Sequence, residues 1–153
     1  MNGLPIVYLD ETGFEHSAHR LFAWMARGSR VFGYVDGQRR PRTSLVGGYL
    51  NHRLIAPLLF EGTCNTEVFN AWLKQQLLPS LPTGSLLVLD NAAFHKAAST
   101  QAMVQSAGHR LLFLPPYSPH LNPIEKGWAN LKRQRQYHAH LTLDQLINTS
   151  NYL

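Results

Sequence analysis

Short apolar runs closed by acids punctuate this chain. Ile6-Val7-Tyr8-Leu9 ends at Asp10, and the run from Ser85 to Leu89 ends at Asp90. Runs this short, bounded by polar residues, predict buried strands. Thr43 to Leu50 and Leu54 to Phe60 flank Asn51-His52-Arg53 and predict a β-hairpin. Arg110 to Leu114, just before Pro115-Pro116, predicts a fifth strand.

Helical spacing appears between these runs. Val68, Phe69, Trp72, Leu73 and Leu77 predict a helix capped by Asn65 or Thr66, reaching about Leu78 and stopped by Pro79. Lys96 to Ser106 predicts a second, stopped at Gly108. Asn122-Pro123 opens a third, whose stripe of Ile124, Trp128 and Leu131 docks it as it runs to about Tyr137. Leu141 to Ile147 starts one more. Residues 13–42 show no clear period; Gly33, Asp36-Gly37 and a basic run predict a loop-rich insertion, with strand pieces around Val31 to Val35. The order strand, insertion, hairpin, helix, strand, helix, strand, helix predicts an α/β fold with a mixed five-stranded sheet flanked by helices. At 153 residues the chain holds one compact domain, placed at residues 1–140, with 141–153 as a C-terminal tail or short helix.

Composition narrows the setting. Cys64 is the only cysteine, so no internal disulfide forms and a reducing, cytosolic setting is expected. No apolar run reaches the ~20 residues of a membrane span, so no membrane partner is expected. Met1-Asn2-Gly3-Leu4-Pro5 lacks the basic-then-apolar layout of a signal peptide. A formal charge of +5 favours a polyanionic partner, though a solvated basic surface explains it equally well.

The candidate chemistry lies in Asp10, Asp90 and Glu125. Each has a plain structural explanation. Strand-end aspartates make turns, and Glu125, three residues past Asn122, has the spacing of a capping box. Together they mean something else. Two strand ends and a helix start can deliver three carboxylates to one point, at the edge where open sheets place ligands. Such a cluster repels itself until cations neutralise it. Hard divalent ions, Mg²⁺ or Mn²⁺, match oxygen donors, and a pair of them cuts and joins phosphodiesters. His16 and His19, or His138 and His140, lack the cysteine partners of a structural zinc site.

Leu-Asp-Glu-Thr-Gly-Phe, Leu-Asp-Asn-Ala-Ala-Phe-His-Lys and Leu-Pro-Pro-Tyr-Ser-Pro-His-Leu-Asn-Pro-Ile-Glu resemble the three catalytic blocks of the DDE transposases of bacterial insertion sequences, relatives of the mariner-like elements. Thirty-four residues separate Asp90 from Glu125, an interval typical of that group. The resemblance runs from about Ile6 to Gln136. It implies a ribonuclease-H-like fold and cleavage and transfer of DNA strands at element ends with two Mg²⁺ or Mn²⁺ ions. It implies that Asp10, Asp90 and Glu125 bind the metals, with Asn91, His95, Asn122 and Pro123 in the surrounding signature positions. His120 departs from the pattern, since an acid is common there.

On this reading the DNA backbone is held by Arg39, Arg40 and Arg42 in the insertion and by Lys126, Lys132, Arg133 and Arg135 on the last helix. The partners implied are element-end and target DNA, a second copy in a homodimeric active complex, and an N-terminal helix-turn-helix module that is supplied separately or missing. The implied location is the bacterial cytoplasm, at the nucleoid. Two alternatives remain: another ribonuclease-H-like nuclease, or a truncated, non-catalytic DNA-binding remnant.

Overall fold

A computed structural model of the protein describes residues 3–15 and 42–149. The strand pieces expected around Val31 to Val35, and Arg39 and Arg40, lie outside the described residues.

The strands β1 (Ile6–Glu15), β2 (Arg42–Leu50), β3 (Arg53–Glu61), β4 (Leu86–Leu89) and β5 (Arg110–Phe113) form one sheet, in the order β3-β2-β1-β4-β5. β1 pairs antiparallel with β2 and parallel with β4, and β4 pairs parallel with β5. The sheet is therefore mixed, with β1 at its centre.

Successive side chains along a strand face opposite sides, so β1 serves two cores. On one face Val7 and Leu9 join Val46, Leu87 and Leu89 against Phe69 and Trp72 of α1 (Thr66–Trp72). Leu73 and Leu77, from the π-helical turn that leads into α2 (Leu78–Ser80), and Val104 of α3 (Ala98–Ser106) complete that core. On the other face Phe14 and Leu45 pack with Ile124, Trp128 and Leu131 of α4 (Ile124–Tyr137) and with Leu146 of α5 (Leu143–Thr149). Each fully buried Leu or Val contributes roughly 1.5–3 kcal/mol. Among the described residues no helix is long and apolar enough to cross a membrane.

Local chemistry explains most boundaries. Asn65 caps α1, its side chain accepting from the Val68 N–H at 2.9 Å. Gly108, at φ +83, lets the chain turn after α3. Asn51 and Arg53 flank His52 at the hairpin, where Asn51 (φ 50) and His52 (φ 63) take the left-handed pair of a tight two-residue turn. Pro57 is tolerated because β3 is an edge strand with a register shift opposite Val46 and Gly48. Trp72 Nε1 donates to the Ala56 carbonyl there, at 2.7 Å.

Three expectations need correction. β1 does not stop at Asp10. It continues through Thr12 and Phe14 to Glu15, because β2 pairs with it all the way from Tyr8 to Glu15. The boundaries at 13 and 42 therefore fall inside strands, since Arg42 opens β2. Pro79 does not end the first helical stretch, which reaches Ser80. Pro79 sits directly after the π-helical turn, and only Ser80 follows it in α2, so the helical stretch ends just beyond it.

Gly47 pairs with Asp10 and lies under α4. A β-carbon there would come 2.7 Å from Leu54 Cδ1 and 3.2 Å from Trp128 Cη2. Gly47→Ala is therefore expected to push Trp128 outwards and destabilise the fold by about 1–3 kcal/mol. Chemical denaturation of the two proteins would measure this. An unchanged midpoint would show that α4 does not press on this strand.

Candidate active site

β4 is short. Its last pairing with β1 is Val88 with Tyr8, so two residues further along each strand Asp90 and Asp10 come level with one another. β1 is carried past this point by β2, whereas β4 gives way to a loop. That difference buries Asp10, which is only 6% exposed, and leaves the Asp90 side chain about half exposed at 51%.

The third carboxylate arrives through Asn122. This residue is buried, and its Nδ2 donates to the Leu9 carbonyl at 3.3 Å while its Oδ1 accepts from the Ile124 N–H at 3.2 Å. It thus ties the start of α4 to β1 beside Asp10. The Asn122 N–H is bonded to the Pro119 carbonyl at 3.0 Å, so the capping-box explanation of Glu125 fails for want of a donor. The Glu125 carboxyl instead lies within hydrogen-bonding reach of Asp10. One turn along α4, Trp128 Nε1 donates to Asp10 Oδ2 at 3.1 Å. Burial pushes the Asp10 carboxyl up to about 8, and the hydrogen bond and charge of Glu125 add to the shift.

Asp90 is held the other way. Its Oδ1 accepts from the Ala92 N–H at 3.0 Å and lies 2.8 Å from His95 Nδ1. The His95 hydrogen bond in particular keeps this carboxyl below its usual range. His95 is 1% exposed, and its ring stands 4.7 Å from that of Phe69. The histidine is fixed by packing, and it fixes Asp90 in turn. Asn91, Asp90, Pro116, Tyr117, Asn122 and Glu125 line a common pocket of about 420 Å³.

The structure thus brings Asp10 and Glu125 into contact and sets Asp90 and Glu125 in one pocket. Among the described residues no three His, Cys, Asp or Glu side chains are gathered closely enough to hold a metal ion as they stand. The donor set nevertheless fits a hard divalent cation. Two carboxyls lie together, one of them buried and raised to about 8, and a cation would relieve their repulsion.

The basic residues are placed elsewhere. Arg135 donates to the Glu15 carbonyl at 2.7 Å, and its guanidinium lies 5.4 Å from the Phe14 ring centre. Lys132 is 5.9 Å from the same ring. Arg133 bonds Asn130 at 2.7 Å, and Lys126 is exposed. Arg42 fills the space that a β-carbon at Gly13 would need. Arg42, Lys132 and Arg135 therefore gather at the far end of β1, away from the pocket walls. From sequence, Trp128 is expected only to dock the helix. Its spacing three residues after Glu125 is a usable signal for the site, since i and i+3 share a helix face.

The family model described as DDE superfamily endonuclease matches residues 5–147. Among solved structures, the chain is similar to that of a Mos1 transposase paired-end complex with left transposon end, at 20% identity and a TM-score of 0.67, over 85% of this chain and 41% of that one. A mariner Mos1 paired end complex with Mg matches at 17% identity and a TM-score of 0.61, over 94% of this chain and 50% of that one. The catalytic domain of Mos1 mariner transposase matches at 17% identity and a TM-score of 0.55, over 94% of this chain and 74% of that one. The chain spans half or less of the chains in the two DNA-end complexes. These likenesses establish the ribonuclease-H-like fold. No curated protein sequence matches the chain.

Proposed function

This chain belongs to the DDE superfamily endonucleases, and on that footing we propose that it is the catalytic domain of an insertion-sequence transposase. It cuts DNA strands at element ends and transfers them to a target. The observation that carries the reading is the contact of Asp10 with Glu125, level with Asp90 where β4 stops. The Mos1 paired-end complexes with Mg and with Mn support a divalent cation here too.

Asp10, Asp90 and Glu125 would hold two Mg²⁺ or Mn²⁺ ions. When bound, such ions supply the Lewis acidity that activates a water or a DNA hydroxyl and offsets charge on the leaving oxygen. The chain's own residues prepare the site. The Trp128 indole aims Asp10, His95 orients Asp90, and Asn122 holds α4 so that Glu125 overhangs β1. Asn91 lines the pocket beside them. Lys126, Lys132, Arg133, Arg135 and Arg42, with Arg39 and Arg40, hold the DNA backbone through contacts that carry charge but little sequence information. Element-end recognition, a homodimeric active complex and a helix-turn-helix module belong to the same proposal. The paired-end complexes of Mos1 support assembly on DNA ends.

The test is a plasmid assay with Mg²⁺ that scores nicking and joining separately. Nicking and joining support the proposal, whereas nicking without joining indicates another nuclease of this fold. Glu125→Gln separates catalysis from a mere structural role for this glutamate. Gln keeps the size and hydrogen bonds but loses the charge, so nicking is expected to fall at least a hundredfold, about 2.7 kcal/mol or more. Near-normal nicking by this variant would remove Glu125 from the site.

A further inference from the structure

Tyr117, on the pocket wall, holds its side chain wholly clear of the protein. It is 100% exposed, yet its backbone is at φ +55, a left-handed conformation that aromatic residues rarely adopt. Such conformations persist only where the surroundings impose them, and they gather at functional sites. The surroundings here are explicit. Leu114 N–H bonds the Leu89 carbonyl at 2.7 Å, next to Asp90, and pins the start of the loop to β4. Pro115 and Pro116 stiffen the next two positions, and the Ser118 hydroxyl donates to the Pro116 carbonyl at 3.2 Å. The loop then closes into the 3₁₀ turn Pro119–Leu121, where Leu121 N–H bonds the Ser118 carbonyl at 3.1 Å. A loop anchored at both ends thus holds one aromatic ring out in solvent, on the rim shared with Asp90 and Glu125.

We propose that Tyr117 is a docking site for one unpaired DNA base. The proposal rests on the DNA-cleaving reading of the carboxylate site. A base inside a duplex has both faces covered by its neighbours, so a protein ring can stack only on a terminal, frayed or flipped base. A strand being cut or joined presents such a base next to the phosphate under attack. Stacking needs no particular base, because every base offers an aromatic face. It also needs little ordering of the protein, since the loop is already fixed. The ring would hold the freed end in place while the carboxylates act on the adjoining phosphate.

The probe is a short duplex with a two-nucleotide 3′ overhang carrying 2-aminopurine as its first unpaired base, compared with the blunt duplex. The whole chain, Tyr117→Phe and Tyr117→Ala are titrated with both, with melting curves for each protein. The wild type and Tyr117→Phe are expected to quench 2-aminopurine and to prefer the overhang. Tyr117→Ala is expected to bind the overhang about tenfold more weakly, with unchanged affinity for the blunt duplex and an unchanged melting curve. Equal overhang binding by Tyr117→Ala and wild type would overturn the proposal. So would no overhang preference in the wild type, or a loss in Tyr117→Phe matching that in Tyr117→Ala, which would indicate a hydroxyl–phosphate contact. Plasmid nicking by the wild type is scored in parallel. Nicking without any effect of Tyr117→Ala on overhang binding refutes stacking alone. Ring-dependent overhang binding without nicking refutes the cleavage reading and leaves the stacking in place.

Discussion

Asp90→Asn is expected to lose metal-dependent nicking by about a thousandfold or more while the fold survives. The two halves of that expectation have separate causes. A carboxylate that holds divalent cations contributes several kcal/mol of charge stabilisation in the transition state, and an amide does not replace it. The fold, however, uses only Asp90 Oδ1, which accepts from Ala92 N–H and from His95. Asparagine keeps an oxygen at that position, so no buried donor is left unmatched. The side chain is half exposed, so little packing changes. A melting temperature within a few degrees of wild type, together with absent nicking, is the expected pair. Retained nicking would remove Asp90 from the chemistry. A collapse of the melting temperature would show that the carboxylate is structural.

The second large effect concerns pH. Asp10 has an ordinary value of 3.8 and is pushed up to about 8 in the folded chain, first by burial and then by Glu125. Between those values the folded state holds a proton that the unfolded state has released. Stability therefore falls as pH rises through this window. The metal-free chain is expected to be markedly less stable at pH 8 than at pH 5, and Asp10→Asn to flatten that decline and to be the more stable of the two at pH 8. Mg²⁺ would act in the same direction, because a cation replaces the proton and binds only the folded site. Its stabilisation should be largest at the high end of the window and absent in Asp10→Asn. Denaturation midpoints from pH 5 to 8, with and without Mg²⁺, would measure both. A wild-type profile that rises with pH would show that the Asp10 carboxyl is not held protonated.

Much of this is legible without any tertiary structure. The apolar runs from Ile6 to Leu9 and from Leu86 to Leu89 have only one way to hide, as central strands, since each is too short for a helix and too apolar for a surface. The hairpin is visible in Asn51-His52, because few residues tolerate the left-handed turn that joins two strands. The start of α4 is visible in Asn122-Pro123. The three acids stand out because each directly follows or opens such an element.

The two errors about strand ends share one cause. Strand length depends on the partner strand, and pairing partners are distant in sequence. Asp10 reads as the end of a strand because apolar residues stop there. It lies mid-strand because β2 continues to pair with β1 as far as Glu15. The same pairing moves the edges of the expected insertion inwards from 13 and 42.

The sequence by itself determined the element types and their order and singled out the three acids as candidates, since these follow from local periodicity, capping and motif. Tertiary structure alone decided which way each acid faces. Glu125 had two local choices, and the Asn122 N–H, already committed to Pro119, ruled out the cap. Asp10 is raised and Asp90 lowered because α4 covers one carboxylate and buried His95 binds the other. Those are contacts between residues far apart along the chain, and no local pattern of polar and apolar positions records them.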